Sequence, residues 1–186
     1  MNQKPLAATL WRTCRVLACP RRLAVLAAVL EKGPVCVKDV ARISRMPENT
    51  ATQCFRALQA RGLLTANRQG RWVYYVAHPD PSVPHAEPML AAMRKAIRQD
   101  KPRESMTAAL TAFTHPRRIA IVRRLNTGPG CVEMLAHDTG MSLPACYRHL
   151  DKLVRRTVVA IGADGNCMLA RPAAGLATSL LQAALE

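Results

Sequence analysis

Two short stretches carry side chains that, on a helix, could meet the edges of nucleic-acid bases. In PENTATQCFRALQARG, residues Glu48, Asn49, Thr52 and Gln53 recur at the spacing of one helix face. The amides of Asn and Gln pair bidentately with adenine, and a Glu carboxylate accepts from the cytosine amino group. The matching positions in LPACYRHL are Leu143, Pro144, Tyr147 and Arg148. Arg148 suits guanine or a phosphate, and Leu143 or Tyr147 suits a thymine methyl. An ordinary solvated helix face has the same polarity, so the elements around these residues must decide between the readings. Cationic side chains that could hold phosphates are Arg21, Arg22, Arg56, Arg68, Arg71, Arg117 and Arg118.

Bulk composition agrees with a polyanionic partner. The 186 residues include 27 Lys and Arg against 12 Asp and Glu, a net charge of +15. A field of that sign and size favours nucleic acid or an anionic surface. Hydrophobic content of 49% is enough for a packed core in each half of the chain. No stretch approaches the roughly 18 uninterrupted apolar residues of a membrane span. Near the N-terminus, Arg12 and Arg15 interrupt the apolar run, a poor fit to a signal peptide. The seven cysteines are scattered with no CxxC pair, which points to reduced thiols in a bacterial-type cytoplasm. There is no phosphate-cradling Gly-rich loop, nucleophile elbow or HExxH. Cys131 and His137 have neither a third group nor an oxyanion hole to work with, so an enzyme is not expected.

An internal repeat organises the chain. LEKGPVCVKDVARISRM from Leu30 and LNTGPGCVEMLAHDTGM from Leu125 align without a gap, and the spacing holds through Phe55 with Leu150, Leu58 with Leu153 and Gly70 with Gly165. Upstream, CPRRLAVL matches HPRRIAIV with one residue gained or lost between. Each copy, about 70 residues, predicts a helix ending at Gly-Pro, a short second helix, a tight turn, a third helix and a hairpin. GRWVYYVA holds three of the chain's seven aromatics. As a strand it sends Trp72 and Tyr74 to one side and Val73 and Tyr75 to the other. A two-stranded hairpin this small cannot stand alone, so one of those sides must pack on the helices.

These motifs resemble the arsenic-repressor (ArsR/SmtB) family of bacterial transcription factors. In the first copy the resemblance rests on CPRRLAVLAAVLEKGPVCVKDVA, TATQCFRALQARGLL and RQGRWVYYV. In the second it rests on HPRRIAIVRRL and CYRHLDKLVRRTVV, with a degenerate wing, GADGNCMLA. The resemblance implies a mainly α fold with small β-wings (α+β): tandem winged helix-turn-helix domains docked as an intramolecular pseudo-dimer. The expected division is a first copy at 1–78, a Pro-rich linker and connecting helix at 79–104, a second copy at 105–171 and a dimerisation-type helix at 172–186. Linkage raises the copies' effective concentration to roughly millimolar. Leu90, Met93 and Ile97, with Leu176, Leu180 and Leu181, would line the seam, unless those helices merely close each copy's own core.

The implied function is sequence-specific recognition of double-stranded DNA by a cytoplasmic, nucleoid-associated regulator. In this architecture the second helix of each helix-turn-helix enters the major groove, the two about one turn apart, roughly 34–36 Å. Because the reading helices differ, an imperfect palindrome or two unlike half-sites is expected. The first copy, with thirteen Lys and Arg against three acids, should grip DNA harder than residues 105–171, with nine against four. RNA polymerase and a second copy of the chain are further conceivable partners. Many relatives sense metals through Cys-Val-Cys, but here the positions read Cys36-Val37-Lys38 and Cys131-Val132-Glu133. With one thiol per copy, and three or four ligands needed, neither metal nor cofactor is expected. Two rival functions remain: a tandem winged-helix scaffold or replication-initiation module working through protein contacts, and a thiol- or metal-responsive repressor.

Overall fold

The computed structural model describes residues 9–170 and 175–186. Helices α1 (Leu10–Leu17) and α2 (Pro20–Lys32) come first, with Pro20 in the first turn of α2, where its missing N–H costs no hydrogen bond. α2 ends at Gly33, whose φ of +79° favours glycine. β1 (Val35–Cys36), α3 (Val37–Ile43) and α4 (Glu48–Gln59) follow, then the hairpin β2 (Thr65–Gln69) and β3 (Trp72–Val76). After α5 (Ala86–Arg98) and α6 (Arg103–Ala112) a similar order returns: α7 (Pro116–Asn126), α8 (Val132–Asp138), α9 (Leu143–Arg155), β4 (Val159–Ile161) and β5 (Cys167–Leu169). α10 (Leu176–Leu185) comes last. The fold is α+β, mainly helical with two small antiparallel sheets.

The first sheet has the order β1-β3-β2, with Val35 opposite Tyr75 and Gln69 opposite Trp72. The second is the pair β4-β5, extended by a bridge between Gly130 and Cys167. Strands of five residues in the first hairpin shrink to three in the second. Val35 pairs at Tyr75 but Gly130 at Cys167, so the second hairpin is the shorter, and the even sequence spacing that matches Gly70 to Gly165 does not survive in strand register. The inward side of β3 carries Tyr75, buried and stacked on Phe55 with ring centroids 4.2 Å apart, while Trp72 stays 41% exposed.

One apolar cluster runs through the molecule. Leu23, Leu26, Phe55, Leu58 and Leu63 at one end and Ile121, Val122, Leu135, Leu150 and Leu153 at the other are joined through Leu17, Met93, Met106, Leu110, Phe113 and Leu180. Each large side chain buried there contributes about 1.5–3 kcal/mol. α1 packs on α6, α2 touches α5 and α6, and α10 packs on α5, α6 and α7. Leu90, Met93 and Leu180 are buried in this middle layer, and Ile97, Leu176 and Leu181 pack against it.

The connecting region shows detail that the sequence does not predict. The Pro-rich linker is folded rather than extended: Asp80 N donates to the Gly62 carbonyl at 2.9 Å, and Ser82 donates from its amide and hydroxyl to the Asp80 carboxylate. A methyl group on Gly62 would sit 2.8 Å from Val83, so glycine is what lets the linker lie down there. α5 begins at Ala86 and holds Pro88 in its first turn, which carries no intrahelical N–H bond to lose. The boundary drawn between 104 and 105 falls inside α6, and the one between 171 and 172 lies outside the described residues.

Candidate nucleic-acid interface

α3 and α4 are joined by a turn in which Arg45 adopts φ +48° and Met46 N donates to the Ala41 carbonyl at 3.0 Å. α8 and α9 are joined in the same way, with Gly140 at φ +63° and Met141 N donating to the Ala136 carbonyl at 2.9 Å. Ala51, Cys54, Phe55 and Leu58 anchor the inner face of α4; Ala145, Cys146, Leu150 and Leu153 anchor that of α9. That anchoring turns the opposite faces outward. Glu48, Asn49 and Gln53 are exposed on α4, with Thr52 half-buried. On α9, Arg148 is exposed, Leu143 is 43% exposed and Tyr147 56%. Two large apolar side chains held in solvent at the start of a helix have an unused contact capacity.

Local bonds consume part of the polar capacity on α4. Thr52 Oγ1 donates to the Glu48 carbonyl at 2.8 Å, and Asn49 Oδ1 accepts from Thr50 N at 2.7 Å. Gln53 and the Asn49 amide nitrogen have no such partner in the helix. Arg56 lies further along the exposed side.

The hairpins differ in charge. Arg68 and Arg71 are exposed at the first tip. The Arg71 guanidinium lies 5.4 Å from the Trp72 ring centre and the Lys38 ammonium 6.0 Å from it, so two cations approach one indole. Lys38 was missed as a surface cation of this edge; its place on the helix preceding the turn is the signal that could have found it. The tip of the second hairpin is acidic and self-contained: Asp164 accepts from the amide and the side chain of Asn166 at 3.0 and 2.7 Å. Those bonds hold its carboxyl below the usual range.

The tandem arginines split. Arg21 and Arg117 are exposed. Arg118 is only 4% exposed and faces inward: Nε donates to the Ala112 carbonyl at 2.6 Å, and Nη2 donates to the Thr111 carbonyl and the Thr114 hydroxyl at 2.9 and 2.6 Å. It ties the end of α6 to the start of α7 and is buried, where the sequence suggests an exposed cation for a duplex phosphate. Arg22 is partly withdrawn in the same fashion, donating to the carbonyls of Val16 and Arg15 at 2.7 and 3.4 Å.

The thiols are structural in their surroundings. Cys36 is buried and donates to Asp39 at 3.0 Å, and Cys131 is half-buried at the start of α8. Burial pushes Cys14 up to about 12 and raises Cys54, Cys146 and Cys167, which disfavours thiolate. Among the described residues no three His, Cys, Asp or Glu side chains converge as a metal site would need. His115 and His149, distant in sequence, pack as a tilted pair with ring centroids 4.5 Å apart. Nδ1 of His115 accepts the Arg117 amide. No described helix is long and apolar enough to cross a membrane.

Comparison with known proteins bears on the second half. No curated protein matches the chain. Residues 115–158, from the cap of α7 through α8 and α9 to the approach of β4, match the model of a family described as bacterial regulatory protein, arsR family. The chain therefore carries an ArsR-like winged-helix domain, of a family whose members bind DNA and regulate transcription.

Proposed function

We propose that the chain is a sequence-specific, double-stranded-DNA-binding transcriptional regulator built from two fused winged helices. The single observation that carries this reading is the outward presentation of two unlike helix faces, Glu48 to Gln53 on α4 and Leu143 to Arg148 on α9, each behind the same turn.

Recurrent backbone detail supports the duplication. Positive φ falls at Gly62 and again at Thr157, each just after a reading helix. Leu63 N donates to the Leu58 carbonyl as Val158 N does to Leu153. The Arg22 and Arg118 latches each reach back six and seven residues. The first copy spans 1–78, the linker and α5 follow, the second copy takes in α6 through β5, and α10 closes the seam between them as in a dimer. Base edges are met by Glu48, Asn49, Thr52 and Gln53 in one half-site and by Leu143, Tyr147 and Arg148 in the other. Two different half-sites, or an imperfect palindrome, follow from the difference between those sets. Arg21, Arg56, Arg68, Arg71 and Arg117 hold phosphates, with Lys38 beside the first wing; Arg22 contributes less and Arg118 not at all. The protein works in the cytoplasm, at the nucleoid, by occupying an operator and blocking or recruiting RNA polymerase.

Selection of bound duplexes from a random pool tests this directly. Two unlike half-sites about one helical turn apart are expected; recovery of unenriched sequence would sink the reading. With about five or six phosphates neutralised, log affinity falls against log salt with a slope of about −4 to −6. A slope near −1 on the selected site contradicts the proposed contacts.

A further inference from the structure

We propose that the cleft between α1, α6, α7 and α9 is a binding site for a small, multiply charged anion of the phosphorylated-metabolite class. The cleft measures about 590 Å³, within the roughly 300–1,000 Å³ of ordinary small-molecule sites. Arg15 enters it from α1, Arg118 from α7, Lys152 and Arg155 from α9, and Arg156 from just beyond α9. Against these five permanent cations stands one lining carboxylate, Asp151, which already accepts from Arg155 Nε at 2.9 Å. Thr111 and Thr114 also line it.

Arg118 is the central observation. Its guanidinium is buried, yet every acceptor it reaches is neutral, and it forms no ion pair among the described residues. A buried charge held only by neutral dipoles is costly unless an opposite charge completes the site. The surroundings report the same positive field. His115 lines the cleft and the His149 ring packs against it at a tilt, and burial together with the neighbouring arginines holds both imidazoles below their ordinary range. An anion seated here would relieve the mutual repulsion of four uncompensated cations and give Arg118 a counterion. The recess favours a compact ligand over a duplex, because Arg118 is only 4% exposed and a DNA phosphate on a convex ribbon cannot descend to it.

The site joins α1, at one end of the chain, to α9, whose first turns face outward. Occupancy would therefore clamp a reading helix against the opposite half and alter the placement of the two faces. That regulatory role rests on the DNA reading above, whereas binding of the anion does not.

Titration calorimetry on the full chain without DNA tests the site, using sodium pyrophosphate at ionic strength held constant with sodium chloride. Citrate serves as a second arm, to separate phosphate from polycarboxylate recognition. Saturable binding of one pyrophosphate per chain is expected, with citrate weaker. Lys152→Ala with Arg156→Ala should weaken it at least tenfold, and Arg98→Ala, outside the cleft, should leave it unchanged. Arg15→Ala alone provides the same check should the double variant fail to fold. Heats that do not saturate, tighter binding of citrate, or cleft variants that bind like the parent overturn the proposal. So does a double variant that loses affinity for duplex DNA while the parent takes up no pyrophosphate, an outcome that would hand the cleft to DNA and leave the regulator reading standing.

Discussion

The imidazoles of His115 and His149 lie with ring centroids 4.5 Å apart and planes tilted by 37°, although one caps α7 and the other sits within α9. His149 Nδ1 is buried without a hydrogen-bond partner. Burial, with the charges of His115, Arg118, Arg117 and Lys152, lowers its pKa to about 4. The folded protein thus refuses a proton that the unfolded chain accepts near pH 6.5. Stability is complete above about 6.5 and is lost progressively as the pH falls toward 4. Solvent screening of this partly exposed ring reduces the loss to about 1–2 kcal/mol. Urea midpoints between pH 4.5 and 7.5 should fall with acid in the parent and flatten in His149→Gln. An unchanged slope in the variant would assign the acid sensitivity elsewhere.

Replacing Arg118 with Met removes three hydrogen bonds from a buried cation and takes the side-chain donor from the Ala112 carbonyl, while the Thr111 carbonyl keeps the Thr114 hydroxyl. A loss of about 1–3 kcal/mol is expected. Arg22→Met, at a half-buried position with one short and one long bond, should cost about 1 kcal/mol or less. Guanidinium denaturation of both variants measures the order, and equal losses would show that burial of the guanidinium does not matter.

Tyr75 and Trp72 make a similar pair of opposites within one strand. Tyr75→Ala empties a buried position against Phe55 and should cost about 3–5 kcal/mol. Trp72→Ala should change stability by about 0.5 kcal/mol, while removing the ring that both Lys38 and Arg71 approach. Thermal unfolding of the two proteins distinguishes them.

Arg148→Ala should relax base preference in one half-site alone, costing about 1–3 kcal/mol there. Binding to half-site variants of the selected duplex supplies the measurement. A uniform loss on all sequences would make Arg148 a backbone anchor.

Much of the fold was legible because apolar spacing is a strong signal: the helices around Phe55 and Leu150 and both turns follow from it, whereas alternation alone left open which side of β3 turns inward, and the Phe55–Tyr75 stack decides it. The linker was not, because proline content reports a stiff segment but not the Gly62 carbonyl on which it settles. The doublets at 21–22 and 117–118 looked like paired surface cations. Helical spacing held the correction, since 118 continues the stripe of Val122 and Leu125, as 22 continues that of Leu26 and Val29. The anion cleft could not be read at all: residue 15, residues 111–118 and residues 151–156 meet only once the chain has folded.

The apolar cluster that passes uninterrupted from Leu23 to Leu153 makes each half a poor candidate for independent life. A nick in the segment at 79–85 should leave the fragments associated until denaturant separates them. Made alone, the N-terminal fragment would bare the flanks of α1 and α2 that α5 and α6 cover, the C-terminal fragment would bare the facing flanks of α5 and α6, and both would turn to aggregation; intact protein should melt in a single calorimetric transition.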